Sequence, residues 1–255
     1  MSLPYQLDRV ITIAAPRATV FRFFTDNERW AAWWAAGSTI EPRTGGRVHI
    51  VHPNKVEVSG EVVAVSPPDS IAFTYGYGAG GPIPPGGSLV TIRLEPHGDG
   101  TRLHLTHEFS DIAQRDHHIQ GWRFQLSLFS NAVLNLLHHD AETTVDAWFG
   151  LWSEPDPDSR SRTLARIASP SVQFHDRFSA LEGADEVGAH VTAAQRFMPG
   201  LSLRRRGSIR HCCGVVLADW DAIASDGGSR GAGTNVFQLG ADGRIVSSTG
   251  FWNAP

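Results

Sequence analysis

The stretch "IAQRDHHIQGWRFQLSLFSNAVLNLL", residues 112–137, decides how the first half of the chain folds. Trp122, Leu126, Phe129, Val133 and Leu136/Leu137 recur at steps of three and four, so a long helix would line them along one face. Upstream of it, "RVHIVH", "VEVSGEVVAV", "SIAFTYGY", "SLVTIRLE" and "TRLHLTHEF" read as strands. Turn chemistry separates them in "RTGGR", "SPPDS", "GAGGPIPPGG" and "PHGDGT". A striped helix after a run of strands buries its apolar face against their sheet.

Closer to the N-terminus, the strand-like "RVITIAAP" leads into a helix with Pro16 near its first turn and Val20, Phe21 and Phe24 on one side. Next comes "DNERWAAWWAAG", residues 26–37, with Trp30, Trp33 and Trp34 at helical spacing. Trp30 is expected in the core. Trp33 and Trp34 suit either a core or the wall of a half-wet cavity, because a buried indole N–H needs a partner. In "TRLHLTHEF", Leu103, Leu105, His107 and Phe109 share one face and His104 lies on the other, so the two histidines make no metal pair. His107 is therefore either a ligand contact or a hydrogen-bonded core histidine. His117/His118 and His138/His139 are expected as exposed helix residues.

The pattern restarts at "HHDAETT", with Asp140 as a candidate N-cap and Val145, Trp148, Phe149 and Trp152 along one helix face. Polar "SEPDPDSRSR" precedes a shorter helix around Leu164 and Ile167, then the strand "SVQFHDRF" and a helix from about Ala184 to Phe197. Four further strand candidates close the chain: "LSLRRRGSIR", "GVVLADWDAIA", "AGTNVFQLG" and "RIVSSTGFW". The domains are read as 1–139 and 140–255. In "SVQFHDRF", alternation places Asp176 with Val172, Phe174 and Phe178, and Asn235 falls with Phe237 and Leu239. A carboxylate on an apolar face needs a partner or a task. Burial would raise its pKa toward that of a general base, whereas a structural role would have it order the loop that follows. His190 shares its helix stripe with Val187, Val191, Ala194 and Phe197, as a core histidine or a partner of Asp176. The arginines of "LRRRGSIR" oppose one another along a strand, so no continuous basic face forms.

The chain has 255 residues, 41% hydrophobic and 19% charged, with a formal net charge of -4. These values describe a globular protein with no general attraction to nucleic acid or anionic membrane. The N-terminus lacks the pattern of a secretory signal, and no apolar run is long enough for a bilayer span. The adjacent Cys212 and Cys213 exclude a disulfide framework. A cytoplasmic protein is expected, without metal or cofactor, since phosphate-loop, zinc, thiol-nucleophile and Ser-His-Asp patterns are missing.

Residues 5–138 resemble a START-like helix-grip domain of the Hsp90-ATPase-activator-homologue type. The likeness rests on "ITIAAPRATVFRFFTD", the paired tryptophans, "RTGGRV" and "HHIQGWRFQLSLF", with His117, Gly121 and Trp122 leading into the last helix. Residues 141–253 look like a SnoaL-like domain of the nuclear-transport-factor-2-like superfamily, through "VDAWFGLW", "SVQFHDRFSALEGADEVGAHVTAAQRFMPG" and the strands after them. Together these resemblances imply an α+β chain of two domains. The first would be a helix-grip curved antiparallel sheet with a long C-terminal helix, the second a cone-shaped α+β barrel.

They also imply a small apolar or polycyclic ligand. It would be bound by Trp33, Trp34, Phe73, Tyr75, His107 and Trp122 in the first half, and by Trp148, Trp220 and Trp252 in the second. Isomerase relatives of the second domain carry a catalytic carboxylate at the position of Asp176, with Asn235 and His190 nearby here. The chain departs from them, with Trp148 in place of a tyrosine and Asn235 in place of an acid, which puts their oxyanion hole in doubt. Polyketide-cyclase-like or isomerase-like proton transfer and non-catalytic binding both stand open, with chaperone-ATPase regulation behind them. A homodimer is compatible with the second resemblance.

Overall fold

The computed structural model describes residues 2–78 and 80–253. The chain forms two compact units, the first ending at Leu134 and the second beginning at Asn135.

In the first unit, β1 (Tyr5–Ile13) leads into α1 (Arg17–Phe21), a 3₁₀ turn (Arg22–Phe24) and α2 (Asn27–Trp33). Six strands follow: β2 (Thr39–Ile40), β3 (Arg47–Val51), β4 (Glu57–Ser66), β5 (Ser70–Tyr77), β6 (Ser88–His97) and β7 (Gly100–Phe109). The helix α3 (Ile112–Leu137) comes last. The strands pair antiparallel in the order β1-β7-β6-β5-β4-β3-β2. Alternation holds along β7, where Leu103, Leu105, His107 and Phe109 are buried and the residues between them are half-exposed.

Asp26 caps α2 by accepting the Arg29 N–H at 3.0 Å. That fixes the short helix that carries the tryptophans. Trp30 meets Phe73 of β5 edge-on at 5.7 Å, and Trp33 meets Phe129 of α3 at 4.9 Å. The Trp30 and Trp33 indoles donate to the carbonyls of His49 and Phe23 at 3.3 and 3.4 Å. The helix α2 is thus wedged between sheet and long helix, and either ring would cost about 3–5 kcal/mol if cut to alanine.

In the second unit, α4 (Ala141–Gly150) and α5 (Pro157–Ile167) precede β8 (Ala168–His175), β9 (Ala180–Glu182) and α6 (Ala184–Phe197). The strands β10 (Ser202–Cys212), β11 (Val215–Ile223), β12 (Ser229–Leu239) and β13 (Ile245–Trp252) complete it. Sheet order is β10-β11-β12-β13-β8-β9, with β13 and β8 parallel and the other pairs antiparallel. Trp148, Phe149, Phe174, Phe237 and Trp220 fill its interior. The buried Arg160 guanidinium ties α5 to α6, donating to Thr192 Oγ1 at 2.7 Å and Gln195 Oε1 at 3.0 Å. The arginines of β10 are dispersed as alternation implied. Arg205 forks onto Asp146 of α4 at 2.7 and 2.9 Å, while Arg206 pairs with Asp221 at 3.0 Å.

Several expectations need correction. The curved sheet and the cone-shaped barrel are not found: both sheets are open, and neither is closed or strongly curled. Closure requires the two edge strands to pair, yet one edge of each sheet is a stub, β2 with 2 residues and β9 with 3. The second sheet is also mixed rather than antiparallel throughout. Alternation in "SVQFHDRF" ends with β8 at His175, so Phe178 is 67% exposed instead of joining Phe174 inside. His118 and His138, expected at the surface, are buried.

Neither ring nitrogen of His138 has a partner, and its ring stands 5.6 Å from that of His211. Burial, reinforced by His211 and opposed by Asp242, lowers its pKa to about 4. An unfolded histidine binds its proton near pH 6.5, so between there and about 4 the unfolded state holds more protons. Stability is therefore retained above about pH 6.5 and declines as pH falls toward about 4. A His138→Leu variant is expected to show a shallower acid decline, and at pH 8 equal stability or a gain of about 1 kcal/mol. Urea unfolding at pH 8, 6 and 4.5 checks this; an unchanged slope would assign the acid sensitivity to other groups.

Candidate functional site

Four segments of the first unit line a cavity of about 340 Å³. Alternation along β5 turns Tyr75 inward, with Tyr77 half-buried at the strand end. The turn between β3 and β4 supplies His52 and Asn54, and α3 supplies His118, Gly121, Trp122 and Gln125, four positions of one helical stripe. Trp34, immediately after α2, forms the remaining wall. Asp, Glu, Lys and Arg are absent from this lining. A wider depression of about 570 Å³ shares His52, Asn54, Tyr77 and His117 with it and adds Glu57 and part of the glycine-rich loop after β5.

Beneath the cavity, the Trp122 indole donates to His107 Nδ1 at 2.9 Å. An indole nitrogen only donates, so Nδ1 is bare and His107 carries its proton on Nε2. From there it donates to Ser88 Oγ at 2.8 Å, and Ser88 donates to the Tyr75 carbonyl at 2.7 Å. Burial, with the neighbouring His118 adding to it, holds the His107 pKa well below the usual histidine range. His107 is a neutral, fully engaged core histidine.

On the cavity wall a second chain runs through side chains. His118 Nδ1 lies 2.7 Å from the Gln114 carbonyl, which can only accept. Tyr77 Oη lies 3.1 Å from His118 Nε2, Tyr75 Oη 3.4 Å from Tyr77 Oη, and His52 Nε2 3.2 Å from Tyr75 Oη. Burial lowers the pKa of His118, helped by His117 and His52 and opposed by the Gln114 carbonyl. Burial also lowers that of His52. Tyr75 is pushed well above the usual phenol range, by burial first and then by Tyr77. Burial thus favours the neutral forms of His52, His118 and Tyr75.

Of the first-half residues singled out by sequence, Trp34, Tyr75 and Trp122 meet at the cavity. Trp33 lies behind Trp34, its ring 4.3 Å away, and Phe73 and His107 are wholly buried. His52, Tyr77 and His118 were missed. His118 was legible as a member of the stripe 118, 121, 122 and 125, but its polarity argued for solvent. His52 sits in a turn whose position no periodicity reports.

In the second unit, Asp176 Oδ1 accepts the Phe178 N–H at 2.8 Å, and the Trp252 indole lies 3.5 Å from Oδ2. Asn235 accepts from the Trp220 indole at 2.7 Å and donates to Ser248 at 3.0 Å. Trp220 and Trp252 meet edge-on at 4.9 Å. Gly233 is required beside them, because a Cβ there would stand 2.4 Å from Trp220. His190 Nδ1 lies 3.3 Å from Ser179 Oγ. Trp148 is wholly buried among Trp152, Phe174 and Phe237. Among the described residues no three His, Cys, Asp or Glu side chains converge as metal ligands, and no helix is long and apolar enough to cross a membrane.

A long helix over an open antiparallel sheet, with a cavity between its N-terminal half and the strand ends, defines the first unit as a cavity-bearing α+β domain. Residues 14–133 match the family described as activator of Hsp90 ATPase homolog 1-like protein, and through this unit the chain belongs to that family. An AHSA1-like protein from Rhizobium etli is 30% identical over 52% of this chain and 85% of its own, with a TM-score of 0.43. A candidate isomerase of the SnoaL-like family from Agrobacterium tumefaciens is 24% identical over 47% of this chain and 99% of its own, TM-score 0.43. The protein CalU16 from Micromonospora echinospora is 23% identical over 50% of this chain and 75% of its own, TM-score 0.42. No curated protein sequence matches. The chain joins an AHSA1-like domain to a second domain similar to SnoaL-like proteins.

Replacing Trp122 by Phe keeps the ring packing and deletes the donor to His107, leaving a buried nitrogen unpaired. The expected loss is about 1–3 kcal/mol in chemical denaturation. A loss below about 0.5 kcal/mol would mean that the bond does not hold α3 on the sheet.

Proposed function

We propose that the first unit binds a small, uncharged aromatic or polycyclic molecule in the cavity walled by Trp34, Tyr75, Tyr77, His118 and Trp122. The observation that carries this reading is an aromatic cavity of about 340 Å³ without a charged side chain in its lining. Its volume is within the range of small-molecule sites. Gly121 supports it further. A glycine inside α3 costs about 0.5–1 kcal/mol relative to alanine. A Cβ there would meet nothing within 4 Å. Packing therefore does not require the glycine, whose exposed backbone forms part of the cavity lining.

Gly121→Leu is expected to fold at least as well as the parent and to bind N-phenyl-1-naphthylamine, an uncharged fluorescent probe, about tenfold more weakly. Probe fluorescence on the full chain measures this. Unimpaired binding by the variant would place the ligand elsewhere, and no binding by the parent would defeat the proposal.

For the second unit we assign Asp176 to ordering the turn of residues 176–179, in preference to proton transfer with Asn235 and His190. In support, Oδ1 takes the Phe178 N–H, Asn235 is engaged by Trp220 and Ser248, and His190 faces Ser179. Asparagine can accept the same N–H, so Asp176→Asn is expected to stay within about 0.5 kcal/mol of the parent. Asp176→Ala is expected to lose about 1–2 kcal/mol. Equal stability of the alanine variant in urea unfolding would remove the turn-ordering role and favour the proton-transfer reading.

A further inference from the structure

We infer that the cavity of the first unit recognises a hydroxyl group on an uncharged, flat aromatic ring, a phenol-class ligand, held between the Trp34 N–H and His52 Nδ1. This rests on the cavity-binding reading above and deepens it.

The Gln114 carbonyl cannot donate, so His118 bears hydrogen on Nδ1. A neutral His118 then has a bare Nε2, and Tyr77 must donate to it. With its single proton engaged, Tyr77 can only accept from Tyr75. Tyr75 in turn can only accept from His52 Nε2. The chain runs one way, from His52 through both tyrosines to His118 and the helix backbone. It leaves His52 with its hydrogen on Nε2 and an acceptor lone pair on Nδ1.

Beside that acceptor stands a donor without a partner. The Trp34 indole nitrogen is buried and makes no hydrogen bond, although Trp34 is 5% exposed and lines the cavity. Trp30 and Trp33, its neighbours, both have carbonyl acceptors. The Trp34 and His52 rings meet edge-on at 5.4 Å, so the unpartnered indole and the His52 imidazole line the same corner of the cavity. A hydroxyl satisfies both at once, its oxygen taking the indole N–H and its hydrogen going to Nδ1. An ether or ketone satisfies only the donor. A carboxylate meets no cation in the lining and would lose its hydration. Trp34, Trp122, Tyr75 and Phe124 supply the faces for a flat ring, and the open space at Gly121 admits its edge.

The test is isothermal titration of the full-length protein at pH 7.5 with naphthalene, 1-methoxynaphthalene, 1-naphthol and 1-naphthoate. Naphthol is expected to bind about tenfold more tightly than naphthalene, with methoxynaphthalene between them and naphthoate weakest. In Trp34→Phe, the preference for naphthol over naphthalene should shrink to within about twofold. Tyr77→Phe removes the acceptor that sets the direction of the chain, and should reduce the ratio of naphthol to naphthalene affinity several-fold.

Naphthalene binding as tightly as naphthol would overturn the inference and leave the cavity reading standing. So would a preference that survives in Trp34→Phe. If none of the four compounds binds, the cavity reading fails with it. Thermal unfolding of each variant separates loss of fold from loss of preference.

Discussion

The first unit depends on one contact, the Trp122 N–H on the bare Nδ1 of His107. It joins the long helix to β7, and it works only while His107 is neutral. Burial secures that neutrality, and the onward bond to Ser88 fixes which nitrogen holds the proton. Ser88 then reaches the backbone of Tyr75, so a single line of hydrogen bonds sets helix, β7, β6 and β5 in register. Every member has its partner, as buried polar groups in a low-dielectric interior must. Because this line holds α3 beneath Trp122, the turn of helix carrying His118 and Gly121 lies beside Tyr75 and Tyr77, and the space between them is the cavity.

The two interiors use polar groups differently. In the second unit, Trp220, Asn235 and Ser248 close on one another, and Arg160 is satisfied by neutral acceptors on α6 and its own loop. Those groups join elements together, while the Trp148 indole and both ring nitrogens of His138 have no partner. In the first unit the chain from His52 to His118 lies along a cavity wall, and the indole of Trp34 is left without an acceptor.

Local periodicity carried most of the element boundaries. The helix of residues 112–137 and the in-out alternation of "TRLHLTHEF" follow from spacings of 3.6 and 2, and the fold observes both. Where prediction failed, a tertiary term outweighed the local one. His118 and His138 are polar and belong to helical or turn segments, so sequence placed them in water, whereas both are buried. The short strands β2 and β9 leave open edges that a resemblance to curled and closed sheets did not anticipate. Phe178 left the apolar face because β8 ends at His175 and the chain turns over residues 176–179.

The sequence by itself determined two halves, each with helices and a sheet, and placed the three tryptophans of residues 26–37 on one helical face. Those features depend on neighbours three or four positions away or on simple alternation, and such information is local. Only the tertiary structure decided which tryptophan faces the cavity. Trp30 and Trp33 find carbonyls at His49 and Phe23, while Trp34, at the end of α2, finds none. The same holds for the chain of His52, Tyr75, Tyr77 and His118, drawn from a turn, a strand and a helix. Hydrogen bonds between residues as far apart as 41 positions are made by the packing of whole elements, and no spacing rule reports them.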